Sequence, residues 1–228
     1  MINTAVSIFE IIGPVMVGPS SSHTAGAARI GNIARRICAR DIKRVDFYLH
    51  GSFARTYKGH GTGKALLGGI LGMSASDERI RDSYQLARAA GIDFEFHTVD
   101  LGDAHPNTVK IIMQATDGET FEVTGSSIGG GKVVITSIND MVVEFTGQYP
   151  TIITNHLDKP GVVAHVTSML SNNGINIAFL KVFRQARGSQ ASMVIETDQE
   201  VGNDVLAELG ALPSMSRIVF IDTDKQLE

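Results

Sequence analysis

From Thr151 to Asp222 the hydrophobic pattern changes in an order that few folds can satisfy. Thr151 to His156 is a strand, and Asp158-Lys159-Pro160-Gly161 is a turn that places Pro at a helix start. Val162, Val163, Val166, Met169 and Leu170 then recur at helical spacing up to Asn172, with Asn173-Gly174 as the cap. Strands Ile175–Phe183 and Ala191–Thr197 face each other across Arg187-Gly188-Ser189. A helix near Asn203–Leu209 and a strand Arg217–Asp222 complete the order. This is βαββαβ, the ferredoxin-like pattern. The texture changes around Gly147-Gln148-Tyr149-Pro150, which predicts one domain over 1–147 and a second over 148–228.

The chain has 228 residues, room for two modest domains each with a core. Its 20 basic and 24 acidic residues give a net charge of −4, which argues against a nucleic-acid surface. No basic run suggests a membrane surface, no apolar run approaches a spanning length, and the N-terminus lacks a basic signal-peptide start. A cytoplasmic location is the expectation. Cys38 is the only cysteine, so thiolates of this chain alone cannot build a zinc or iron–sulfur site. On its helix it reads as a small buried hydrophobe.

The N-terminal region reads as mixed α/β. Residues 5–12 suggest a short helix stopped by Gly13-Pro14. Gly18-Pro19-Ser20-Ser21-Ser22-His23-Thr24 then runs into a helix with Ile30, Ile33, Ala34, Ile37 and Cys38 on one face. Ser21 or Ser22 is the natural N-cap. The helix start favours an anion, and four hydroxyls with one imidazole exceed what capping needs.

After the strand Arg44–Leu49 comes a glycine-rich element, Tyr57-Lys58-Gly59-His60-Gly61-Thr62-Gly63-Lys64. It is no P-loop: three residues separate Gly59 from Gly63, and Ala65 follows the Lys. It holds His60 beside Lys58 and Thr62, facing a cleft or solvent. Helices with Leu66, Leu67, Ile70 and Leu71, and over Glu78–Ala90, lead to a strand at Phe94, Phe96 and Thr98. His105-Pro106-Asn107-Thr108 has ordinary turn composition. The strand with Val109, Ile111 and Met113 returns through Asp117-Gly118 to Phe121 and Val123. Ser127-Ile128-Gly129-Gly130-Gly131 opens no helix, which excludes a dinucleotide loop. Its glycines permit close approach of a ligand or chain, or serve a bulge or corner.

The C-terminal unit resembles an ACT domain, the module by which many metabolic enzymes sense amino acids, and most of all that of phosphoglycerate dehydrogenase. Asn155-His156-Leu157-Asp158-Lys159-Pro160-Gly161 and Gly174-Ile175-Asn176 carry the likeness. It implies that His156, Asp158, Gly161 and Asn176 meet an amino-acid effector and that the domain self-associates. Asp158 replaces an amide found in the dehydrogenase. The N-terminal motifs, in order, resemble the β chain of the iron–sulfur-dependent two-component L-serine dehydratases. The same domain is similar to the allosteric substrate-binding domain of some phosphoglycerate dehydrogenases. The family usually carries Asp where this chain has Gly63.

The dehydratase resemblance implies conversion of L-serine to pyruvate and ammonia, with a [4Fe–4S] cluster acting as Lewis acid on the serine hydroxyl. One cysteine cannot hold that cluster, so an α chain must supply it. Ser20, Ser21, Ser22, Thr24, Lys58, Gly61, Thr62, His105, Asn107 and Gly129–Gly131 become candidate substrate contacts. His23 and His60 become the catalytic candidates, with the choice of base open. A non-catalytic anion- or amino-acid-binding module is the alternative. A self-contained Ser/His hydrolase lacks its nucleophile elbow.

Overall fold

The computed structural model describes residues 16–18, 20–59, 61–139, 141–184 and 186–222. The helix expected over residues 5–12, Pro19 and His60 lie outside the described residues. The chain divides into two compact units between Ile135 and Thr136.

In the first unit a π-helical turn, Ser21–Gly26, runs directly into α1 (Ala27–Cys38). Ile30, Ile33, Ala34, Ile37 and Cys38 are all buried, as the spacing requires. β1 (Ile42–Leu49) alternates Val45, Phe47 and Leu49 into the core. It is followed by α2 (Gly51–Thr56) and α3 (Thr62–Ile70). The helix expected over Glu78–Ala90 is split into a 3₁₀ turn, Glu78–Asp82, and α4 (Ser83–Ala89). Asp77 caps the 3₁₀ turn by accepting from the Arg79 N–H at 2.9 Å, and Asp82 leaves helical geometry at ψ 11°.

The remaining strands are β2 (Asp93–Thr98), β3 (Thr108–Ala115), β4 (Thr120–Gly129) and β5 (Lys132–Ile138). They order as β2-β1-β3-β4-β5, with β1–β2 parallel and the β1–β3 and β3–β4 pairs antiparallel. β5 carries the chain across the division, and β6 (Met141–Phe145) lies in the second unit. α1 lies on β4, where a β-carbon on Gly125 would sit 3.2 Å from Ile30. Its crossing with α3 needs glycine on both helices: β-carbons at Gly31 and Gly69 would collide with the carbonyls of Leu66 and Ala28.

The second unit contains β7 (Thr151–Leu157), α5 (Val162–Asn172), β8 (Ile177–Arg184), β9 (Gln190–Thr197), α6 (Asn203–Gly210) and β10 (Met215–Ile221). The antiparallel sheet orders as β10-β7-β9-β8. That arrangement is the ferredoxin-like split βαβ expected from the pattern. Ile152, Met193 and Ile195 pack under Val166, Leu170, Val205 and Leu209.

Candidate functional site

Ser20, not Ser21 or Ser22, caps the first helix. Its extended backbone (φ −139°, ψ 122°) lets Oγ accept the His23 N–H at 3.2 Å. The same Oγ lies 3.1 Å from His23 Nδ1, and His23 Nε2 lies 3.1 Å from Ser52 Oγ on α2. The imidazole and Phe53 make a T-shaped contact, with ring centroids 5.5 Å apart. The following π turn buries Thr24, Ala25 and Gly26. Such turns are rare and frequently mark functional sites.

The β3–β4 register then carries the third and fourth motifs to one place. Ser127 N donates to Asn107 O at 3.0 Å, and Asn107 Nδ2 donates to Ser127 O at 3.4 Å. Beside them Thr108 Oγ1 donates to His105 O at 2.6 Å and bonds Ser126 Oγ at 2.7 Å. The first motif closes on this pair because Gly26 packs directly on the Ser127 side chain. Ser52 N donates to Pro106 O at 2.7 Å, so His23's hydroxyl partner is tied to the third motif as well.

Buried polar atoms without a partner cost about 1–3 kcal/mol each, so folded chains keep few. Among the described residues, four stand in the four N-terminal motifs: Thr24 Oγ1, Thr62 Oγ1, Asn107 Oδ1 and Ser127 Oγ. Thr24 sits against Gly18, where a β-carbon would collide with its hydroxyl. Thr62 opens α3 behind Gly61, whose φ of 76° suits glycine. Thr24 and Gly61 also line one cavity of about 300 Å³ with Gly18, Gly59, Lys64 and Arg81, a wall whose charges are both positive.

The other candidates supply none of these four buried atoms. Ser21 and Ser22 are half-buried. Lys58 is exposed over the Tyr57 ring at 5.6 Å. His105 is exposed, and its Nδ1 accepts the Asn107 N–H at 3.1 Å. Gly129, Gly130 and Gly131 (φ 101°, 60° and 76°) form the β4–β5 turn, and a β-carbon on Gly129 would meet nothing within 4 Å. Gly63 is buried against Phe96 and the Tyr84 hydroxyl, which a β-carbon there would strike. Burial, and secondarily Tyr57, raises the Tyr84 pKa.

Metal chemistry finds little purchase on the described residues. Cys38 is buried and free, and burial raises its thiol pKa. A single desolvated thiol does not fit an iron–sulfur cluster. Asp46, Glu95 and His97 cluster across β1 and β2, but Arg44 bonds both carboxylates, at 2.6 Å and 3.0 Å. Hydrogen bonds from Arg44 hold the Asp46 pKa low, so a fixed cation already serves these acids. No helix among the described residues is long and apolar enough to cross a membrane.

In the second unit His156 is 2% exposed, with Nδ1 3.1 Å from Thr154 Oγ1. Desolvation lowers its pKa against an upward pull from Asp158. Asp158 accepts from Gly188 N at 3.1 Å and Arg184 Nη1 at 3.2 Å, and these bonds lower its pKa, the Gly188 bond most. Asn176 Nδ2 donates to Asp198 at 2.6 Å, and Gly161 caps α5 at φ 91°.

Residues 7–137 match the family described as serine dehydratase beta chain, more than half of the protein. The chain belongs to that family. Residues 151–214 match the ACT domain. The chain is 47% identical over 215 residues to the probable L-serine dehydratase beta chain of Bacillus subtilis strain 168, covering 94% of this chain and 97% of that one. It is 46% identical over 197 residues to the L-serine dehydratase beta chain of Peptoniphilus asaccharolyticus, covering 86% and 89%. The D-3-phosphoglycerate dehydrogenase of B. subtilis is 27% identical over 201 residues, 86% of this chain but 37% of that enzyme.

Sequence reasoning missed Ser52 and gave Ser127 no role. The signal for Ser127 was available: counting outward from Asp117-Gly118, the pair after Thr108↔Ser126 is Asn107 and Ser127.

Proposed function

We propose that this chain is the β subunit of an iron–sulfur L-serine dehydratase, whose active site is completed by a cluster-bearing α chain. L-serine loses its hydroxyl as water to give aminoacrylate, and hydrolysis of that product releases pyruvate and ammonia. The observation that carries the proposal is the set of four unpartnered buried polar atoms on Thr24, Thr62, Asn107 and Ser127, one from each motif. Thr24 with Ser20, Ser21 and Ser22 binds the serine carboxylate, aided by the positive end of the first helix. Asn107, Thr62 and the Gly129–Gly131 backbone line the same site, with Lys58, Gly61 and His105 at its margin. His23 and His60 orient substrate or move protons. With Cys38 the one cysteine of the sequence, the cluster is assigned to the partner. The ACT domain takes a small amino acid through His156, Asp158, Gly161 and Asn176, and it pairs with a second copy.

Co-purification with the α chain under anaerobic conditions, followed by a pyruvate assay with L-serine, tests this. The complex is expected to turn over serine and each isolated chain is not. A complex with its cluster intact and no serine-dependent pyruvate contradicts the proposal and leaves a regulatory binding module. Full turnover by a His60→Ala complex removes His60 from the catalytic set.

A further inference from the structure

His23 is held at both ring nitrogens, and the two hydroxyls that hold it differ in what they have left to give. Ser20 Oγ already accepts the His23 backbone N–H at 3.2 Å as the helix cap. With one lone pair used by the cap, its own proton can go to Nδ1, 3.1 Å away. A neutral imidazole whose Nδ1 accepts carries its proton on Nε2. In that tautomer the donor meets Ser52 Oγ, which lies 3.1 Å from Nε2. Ser52 is itself fixed from the opposite side, because its backbone N–H is spent on Pro106 O at 2.7 Å and its carbonyl accepts Thr56 Oγ1 at 2.7 Å. Gly51 before it has φ 54° and packs so tightly on Pro106 that a β-carbon would lie 2.6 Å from that carbonyl oxygen. The Ser52 hydroxyl thus has a backbone anchored to a different motif from the one that carries His23.

We propose that Ser52 is a positioning residue: its hydroxyl accepts from Nε2 and holds His23 in the Nε2–H tautomer and in one orientation. Phe53, adjacent in sequence, packs against the ring in a T-shaped contact. Ser52 acts on the reaction only through His23, and its importance for turnover rests on the reading of His23 as a site residue given above.

The test uses the full chain labelled with ¹⁵N-histidine, with His23 assigned by loss of its signals in His23→Gln. The wild-type ring is expected to show a protonated Nε2 and an unprotonated Nδ1. Ser52→Ala keeps the backbone bond to Pro106 but removes the acceptor, so both signals should move toward the tautomer average. Ser52→Thr should restore them. If Ser52→Ala fails to fold, Ser52→Cys, a weaker acceptor of similar size, should give the same shift. In the complex with the α chain, kcat of the Ser52→Ala variant should fall about tenfold or more, within the range that a positioned acid–base group supplies. Unmoved ring signals in a folded Ser52→Ala or Ser52→Cys chain overturn the inference. Moved signals with unchanged turnover uphold Ser52's hold on the ring and overturn the catalytic reading of His23 instead.

Discussion

Gly26 and Ser127 lie so close that a β-carbon on residue 26 would collide with Ser127 Oγ and lie 2.7 Å from its Cβ. This contact locks the helical turn of the first motif onto the strand that carries the fourth. A helical glycine replaced by alanine ordinarily gains about 1 kcal/mol. Here Gly26→Ala is expected to lower stability by about 1–3 kcal/mol, the usual cost of overpacking. Urea unfolding of the full chain measures it. Ser127→Gly in the same chain should restore stability without restoring turnover, because the unpartnered hydroxyl is gone.

Gly63 is helical, not left-handed, so its backbone does not require glycine. Its neighbours do: the Tyr84 hydroxyl occupies the space a side chain would enter, and Phe96 lies 3.2 Å from it. Gly63→Asp is expected to destabilise by about 1–3 kcal/mol. Tyr84→Phe should recover part of that loss. Thermal melts of the two single variants and the double variant give the coupling directly.

His156 is buried with its pKa lowered by desolvation. The unfolded chain, titrating near the ordinary value of about 6.5, then binds more protons than the folded one just below that pH. Its contribution to stability is full above about pH 6.5 and is lost as pH falls from there toward the lower folded value. The slope from one such proton is at most about 1.4 kcal/mol per pH unit. Denaturation followed between pH 8 and 5 (about the span around the free histidine value) should show this slope weaken in His156→Gln.

Elements with a sharp period or a strong turn were legible in the sequence. Ile30 to Cys38 shows its buried face, Asp117-Gly118 marks its hairpin, and the succession after Thr151 reads as the βαββαβ order that the sheet has. Long-range placement was harder. Nothing local makes β2 parallel to β1 across three intervening helices. The cap fell on Ser20 because one oxygen there serves both the His23 backbone and its ring, a choice that local propensity does not rank. Ser52 was invisible because its role depends on α2 folding back toward the first helix. His105-Pro106-Asn107-Thr108 has the composition of any turn, and only strand register sets Asn107 against Ser127.

Thr24→Val tests the central claim most directly. The Thr24 hydroxyl is buried without a partner, so an isosteric methyl should leave the folded chain as stable or more stable. If that hydroxyl serves the serine carboxylate, kcat/KM for L-serine in the α–β complex should fall by about tenfold, the equivalent of about 1.4 kcal/mol of lost binding. A Thr24→Val complex with unchanged kcat/KM would contradict the account.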